Sequence, residues 1–259
     1  MDLGIRGRKA IVCGSSQGLG RGCALALAEA GADLVINGRR QAKLEQAAEE
    51  IRRATGVPVA AVAADIGTPE GQAALLAACP EPDILINNAG GPPFRDFREL
   101  DRASMIGGVS MNMIVPIELI QQVIGHMTAQ RFGRVINITS ITVKMPIAGL
   151  DLSSGARAGL TAFVAGIARS VADRNVTINN MMPGYFDTER LREGFATTAK
   201  RTGTSEDTVA GRWAASVPAK RFGTPEEFGK VCAFLCSAHA GFITGQNLLL
   251  DGGLYQSAF

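Results

Sequence analysis

Short apolar runs rich in Val and Ile recur along the chain, and longer stretches whose apolar positions follow a helical period separate them. The runs "KAIVCG", "ADLVING", "VPVAAVAAD", "DILINNAG", "RVINITS", "VTINNMMPG" and "GQNLLLDGG" predict seven strands. Helical period predicts helices over Leu19 to Ala30, Arg39 to Thr55, Met113 to Gln130 and Ala156 to Asp173. Another opens at "TPEEFGKVCAFLCS", where Thr224 can cap, Pro225 suits the first turn and Glu227 can answer the cap. Strands that are apolar throughout, rather than alternating, belong to a parallel sheet covered on both faces. The fold class expected is α/β, a doubly wound seven-stranded parallel sheet flanked by helices, with residues 1–259 as a single domain.

The polar residues sit where the runs end. "CGSSQGLG", "NNAG", "NITS" and "MMPG" each close a strand, and the carboxyl ends of parallel strands line the crevice in which such sheets bind ligands. After the first strand, Gly14-Ser15-Ser16-Gln17-Gly18-Leu19-Gly20 leads into a helix. Its glycines permit a tight turn and close approach to a pyrophosphate, and the helix N-terminus offers unpaired N–H groups. A glycine-rich turn alone also fits a plain strand-to-helix connection.

Composition narrows the partners. Lys plus Arg (26) nearly balances Asp plus Glu (24), which gives no field favouring nucleic acid or an anionic membrane. Nowhere do eighteen uncharged apolar residues follow one another, and the N-terminus has no long apolar run before the first strand. The compartment expected is the cytoplasm. Cys13, Cys23, Cys79, Cys232 and Cys236 form no Cys-x-x-Cys pair and have no His-rich neighbourhood, so they read as reduced core thiols and no metal site is expected.

The spacing Gly-x-x-x-Gly-x-Gly resembles that of the short-chain dehydrogenase/reductase family, and further matches follow in the family's order over essentially the whole chain. They are Asp65, Asn87-Asn88-Ala89-Gly90, Asn112, Ser140, Pro183-Gly184, Thr244-Gly245-Gln246 and Asp251-Gly252-Gly253. The resemblance implies a Rossmann-like nucleotide fold. It further implies cofactor contacts from Gly14, Ser16, Gln17, Gly18, Leu19 and Gly20 at the pyrophosphate, and from Asp65 and Ile66 toward the adenine. Asn88, Ala89, Gly90 and Arg157 would line the ribose and nicotinamide, and Pro183, Gly184, Phe186 and Thr188 the carboxamide side. Where an NAD enzyme places a ribose-binding acid, the second strand closes on Asn37-Gly38-Arg39-Arg40. Arg39 and Arg40 suit a 2′-phosphate, so NADP(H) is expected over NAD(H).

In that family, the serine after the fifth strand is followed thirteen residues later by a tyrosine, and four residues after that by a lysine. Counting from Ser140 reaches Ser153 and Arg157. The only tyrosines are Tyr185 and Tyr255, and the residues four further on are Glu189 and Phe259. A phenol can be tuned toward neutral pH and release a proton; an aliphatic hydroxyl and a guanidinium cannot do the same. The candidate catalytic set is Ser140 for carbonyl polarisation, Asn112 for a water-linked hydrogen bond, Arg157 for ribose contact and Ser153 at the acid's position. Tyr185 and Lys144 are alternative groups at the rim, although surface or packing roles suit both.

Between the sixth strand and Thr224, at about 186–223, the family inserts a substrate-covering lid. From Glu189 to Arg221 seven Lys or Arg face four Asp or Glu, compatible with an acidic substrate such as an acyl thioester on a phosphate-bearing carrier. The apolar helix "MIVPIELIQQVIGHMTAQ" and the C-terminal aromatics, together with the resemblance, imply a homotetramer or homodimer. His126 and His239 match no catalytic position. Three functions stay open: an oxidoreductase with a small-molecule carbonyl or alcohol substrate, a non-redox enzyme such as a lyase, and a silent nucleotide-binding subunit.

Overall fold

The apolar runs form strands β1 (Lys9–Val12), β2 (Asp33–Gly38), β3 (Val59–Ala63), β4 (Ile84–Asn87), β5 (Gly133–Ile138), β6 (Val176–Pro183) and β7 (Asn247–Leu250). In the computed structural model, which describes residues 1–92 and 94–258, all of them are parallel, in the order β3-β2-β1-β4-β5-β6-β7. Phe259, the last of the C-terminal aromatics, lies outside the described residues. Around the sheet run α1 (Gly18–Glu29), α2 (Gln41–Thr55), α3 (Pro69–Ala78), α4 (Arg102–Val109), α5 (Val115–Ala129), α6 (Asp151–Ser170), α7 (Glu189–Thr202), α8 (Glu206–Ser216) and α9 (Pro225–Leu235).

Two apolar layers cover the sheet, which is why its strands are apolar on both faces. One joins Val12, Ile36 and Ile86 to Leu27 of α1, Leu44 of α2 and Phe228 of α9. The other joins Ile11, Leu85 and Val135 to Leu75 of α3, Leu119 and Val123 of α5, and Leu160 and Val164 of α6. Helices α1 and α9 cross so closely that a Cβ on Gly22 would strike the Pro225 carbonyl and one on Gly229 the Gly22 carbonyl. The capping box expected at α9 is present, with Thr224 and Glu227 answering each other.

Several boundaries differ from the sequence reading. Helix α2 begins at Gln41 rather than Arg39, leaving Arg39 and Arg40 ahead of the helix. Helix α6 begins at Asp151 rather than Ala156, so Ser153 already lies in its first turn. The helix expected from Met113 starts at Arg102, because α4 continues through a π-turn, Ser110–Ile114, into α5. This 28-residue stretch is long and apolar enough, by length and composition, to cross a membrane, yet Leu119, Ile120, Val123 and Met127 pack in the core beneath the sheet.

The segment 186–223 folds as α7 and α8 around a small apolar centre of Phe195, Ala199 and Val209, with Trp213 and Phe222 against it. Its two ends are stitched together where Gly223 N donates to Tyr185 O and Asp187 N donates to Gly223 O. A ladder of amides ties the last four strands at one register. Asn87 Nδ2 donates to Asn137 Oδ1 (2.9 Å), Asn137 Nδ2 to Asn180 Oδ1 (3.0 Å), and Asn180 Nδ2 to Asn247 Oδ1 (2.7 Å).

Candidate active site

The crevice begins where β1 turns into α1, at the point where strand order reverses from β1-β2 to β1-β4. Gly14 and Gly18 take φ of +56° and +58°, the left-handed region that glycine tolerates. A Cβ on Gly20 would strike the Gly14 carbonyl, so this glycine lets the loop lie on its helix. Asn88 fixes the loop from β4 through Nδ2, which donates to Gly14 O at 3.0 Å. Gln17 at the N-cap of α1 makes no side-chain cap, so the first N–H groups of the helix have no capping side chain. Open donors, positive helix end and tight glycine turn together fit a dinucleotide pyrophosphate.

At the carboxyl end of β2, Arg39 and Arg40 are exposed, with no carboxylate from β2 itself. Arg40 donates to Gln17 Oε1 at 3.0 Å. Two residues that sequence reasoning missed join them. Lys43, one turn into α2, lies 2.8 Å from Glu189 Oε1 at the start of α7, and Arg40 lies 4.0 Å from the other oxygen. Lys43 was legible as the third basic residue within one turn; Glu189 comes from the far end of the chain and carried no local signal. Lys43, followed by Gln17, holds the Glu189 carboxyl below its usual value.

The other expected cofactor residues sit at neighbouring strand ends. Asp65 is exposed, its Oδ1 accepting from Gly67 N at 2.9 Å, and Ile66 is buried beneath it. Pro183 ends β6, and Gly184 packs so tightly on Asp251 that a Cβ would lie 2.8 Å from the Asp251 Cβ. Thr188 caps α7, accepting from Leu191 N, and its methyl faces Gly18. The Phe186 ring is buried edge-on against Phe228, 5.2 Å between centroids. Leu19 packs against the core, whereas Gly90 is exposed.

Ser153 and Arg157 lie on the buried stripe of α6, with Ala156 and Leu160. Arg157 Nη1 donates to Ile138 O at 2.6 Å, Nε to Ser153 Oγ at 3.3 Å, and Nη2 to Ala89 O at 3.5 Å. One guanidinium thus links the ends of β4 and β5 to α6. Burial, with Arg190 adding like charge, lowers its pKa to about 10, so it remains a cation at neutral pH. Ser140 Oγ accepts from Thr142 N at 3.1 Å, opening a short turn after β5. Asn112 lies in the π-turn, which packs on α6; its Nδ2 donates to Gly108 O at 3.0 Å, and its buried Oδ1 has no partner among the described residues. A buried acceptor without a donor suits a water-linked hydrogen bond.

This arrangement agrees with comparisons to known proteins. The enoyl-(acyl carrier protein) reductase family model matches residues 14–255. The chain is 32% identical, over 98% of its length and 99% of the other's, to the 3-oxoacyl-[acyl-carrier-protein] reductase FabG of Chlamydia pneumoniae. The chain belongs to the short-chain dehydrogenase/reductase family. Another similar relative in this family is the NADPH-dependent reductase BacG of Bacillus subtilis, 31% identical over 96% of this chain and 98% of that protein. Among solved structures, L-sorbose reductase from Gluconobacter frateurii, complexed with NADPH and L-sorbose, superposes with a TM-score of 0.93. It is 29% identical, with coverage of 99% and 100%.

Tyr185 and Lys144, the alternative groups at the rim, both meet aromatic rings. Tyr185 stacks on Trp213 at 5.2 Å, and burial pushes its phenol pKa up, away from neutral pH. Lys144 sits over the Tyr255 ring, 5.2 Å from its centroid. His126 approaches Glu81 at 4.0 Å, and His239 Nε2 pairs with Asp2 O at 2.8 Å. All five cysteines are buried and unbridged, and burial pushes the Cys13 thiol up to about 12.

Proposed function

We propose that the chain is an NADP(H)-dependent oxidoreductase that reduces a small-molecule carbonyl, or oxidises the corresponding secondary alcohol, without a tyrosine acid. The single observation that carries this reading is the glycine loop, Gly14 to Gly20, held by Asn88, whose neighbour Ala89 accepts from Arg157 beside Ser153. When bound, the nicotinamide supplies or accepts the hydride. The chain's own residues do the rest. The Ser140 hydroxyl polarises the carbonyl, Arg157 holds positive charge against the ribose side, and Ser153 occupies the position at which the family carries its acid. The proton comes from solvent, relayed through a water held by the two serine hydroxyls and the orphaned Asn112 Oδ1, and that water is reprotonated from bulk. Orientation alone can supply ~7–11 kcal/mol of a barrier, and the missing acid forfeits about 10²–10⁴-fold. Slow but real turnover follows.

Arg39, Arg40 and Lys43 favour the 2′-phosphate of NADP(H), supported by the cofactors named for BacG and the sorbose reductase. Helices α7 and α8 act as the lid over the substrate, whose candidates include 3-oxoacyl thioesters of the kind FabG is named for. Exposed Met105, Ile106 and Ile114 on the long helix are covered by self-association, as a dimer or tetramer in the cytoplasm.

Single-turnover loss of NADPH absorbance with a panel of ketones, oxo acids and oxoacyl thioesters tests the reading. Carbonyl-dependent loss supports it. Substrate consumed with the nucleotide unchanged would replace it with a lyase, and nucleotide bound without turnover would replace it with a silent subunit.

A further inference from the structure

Two arginines are buried without a carboxylate partner among the described residues, and they differ in how fully they are satisfied. Arg134, at the opposite end of β5, spends its guanidinium on Ser237 O, Gly133 O, Asn175 O and Asn175 Oδ1, at 2.8 to 3.2 Å, and lies over the Phe132 ring. It is a structural tie. Arg157 makes three contacts, of which one is to a hydroxyl at 3.3 Å and one reaches 3.5 Å. A guanidinium carries five N–H donors, so two remain uncommitted among the described residues.

The neighbouring hydroxyls add donors, and no carboxylate among the described residues pairs with Arg157. Ser153 Oγ already accepts from Arg157 Nε, so its own proton is left to donate, and Ser140 Oγ likewise accepts from Thr142 N. A second cation is near: Arg190 of α7 donates to Pro92 O at 2.6 Å, and its like charge is felt at Arg157. Gly91, next to Pro92 in the chain, has no side chain, which leaves a window. A Cβ there would sit 3.6 Å from Arg157 Nη2 and 4.0 Å from Ser153 Oγ, in ordinary contact, and anything longer would cover both. A buried cation is costly unless it is paired, and here the pairing is incomplete among the described residues.

We propose that Arg157 and Ser153, reached through the Gly91 window, bind the carboxylate of the substrate, making the preferred substrate class short oxo acids and their hydroxy acids. This rests on the reading of the crevice as a hydride-transfer site. A planar carboxylate matches one guanidinium edge and one hydroxyl. With Ser153 turned to the carboxylate, the proton-delivering water is held by Ser140 and Asn112 Oδ1, and Ser140 remains for the carbonyl.

The test titrates the whole protein, with and without NADP⁺, using acetoacetate, its neutral methyl ester and inorganic phosphate. Binding is read by calorimetry and by the Arg157 Nε–H resonance. Acetoacetate should bind saturably and shift that resonance, while the ester should not. Arg157→Met and Gly91→Val should each weaken acetoacetate by about tenfold or more, as expected for losing a charge-assisted contact. Gly91→Ala should retain it. Because Gly91→Val keeps Arg157 in place, its result stands even where Arg157→Met fails to fold. Equal binding of the ester, unchanged affinity in Gly91→Val, or tighter phosphate binding at Arg157 would each overturn the inference. NADPH affinity, measured alongside, separates the two claims. Carboxylate bound without NADPH affinity sinks only the proposed oxidoreductase, whereas NADPH bound with indifference to carboxylate sinks only this site.

Discussion

Restoring a proton donor is the most demanding perturbation of this site. Ser153→Tyr combined with Arg157→Lys places a phenol on the buried stripe of α6, where Gly91 has no side chain to obstruct a ring. The change removes the Arg157 contacts to Ile138 O (2.6 Å) and Ser153 Oγ (3.3 Å), and an ammonium with three donors can replace the first. Those losses bear on stability, at about 1 kcal/mol per hydrogen bond, and not on the barrier. The barrier falls by what a positioned acid contributes, about 10²–10⁴-fold. At ~1.36 kcal/mol per decade this is roughly 2.7–5.4 kcal/mol. With NADPH and a neutral ketone, kcat/KM should therefore rise at least about a hundredfold, and the pH profile should gain a limb from the new phenol. Ser153→Tyr alone should gain less, and Arg157→Lys alone nothing, since neither supplies both the acid and its ammonium. A double variant that binds NADPH like the wild type yet reacts within a few-fold of it would refute the idea that only the acid is missing.

Three further outcomes follow from the geometry. Asn137→Leu breaks two rungs of the amide ladder and strands the buried Asn180 Oδ1, which should lower Tm by roughly 5–15 °C in a thermal melt; a drop under about 1 °C would show that the ladder is dispensable. Glu189→Gln removes the carboxylate that occupies Lys43 and Arg40, so NADPH should bind a few-fold tighter at low salt, with the gain fading as salt screens it. Weaker binding would contradict the assignment of those cations to the 2′-phosphate. Hydrogen bonds from Arg221 and from Thr224 N lower the Glu227 carboxyl from 4.5 to about 2. Because the folded value is the depressed one, the stabilisation is complete above 4.5 and disappears as pH falls toward 2. The Tm difference between wild type and Glu227→Gln should shrink over that window, and a difference independent of pH would rule the cap out as its source.

The strands and the glycine loop were legible because each rests on local pattern. Runs such as "AIVC" and "ILIN" are apolar without alternation, and only a doubly covered sheet demands that. Thr224, Pro225 and Glu227 announced α9 for the same reason: a cap is a three-residue signal. Helices α7 and α8 were harder to read, since their buried residues, Phe195, Ala199 and Val209, form a centre too small to impose a long apolar stripe. The early start of α6 was masked by Ser153, Ser154 and Gly155, weak helix formers that tertiary packing overrides. At the site, serine at 153 and arginine at 157 could be counted along the chain. What they touch could not, because the Arg157 contacts to Ile138 and Ala89 span 19 and 68 residues. Glu189 beside Lys43, 146 residues away, is hidden in the same way.

The most direct measurement follows an isotope. With nicotinamide-deuterated NADPH of the transferable face and a short 3-oxo acid, the product alcohol should carry one deuterium at the new carbinol carbon, in slow but enzyme-dependent yield. Product formed without deuterium, or no product while the nucleotide stays bound and intact, would contradict hydride transfer in this crevice.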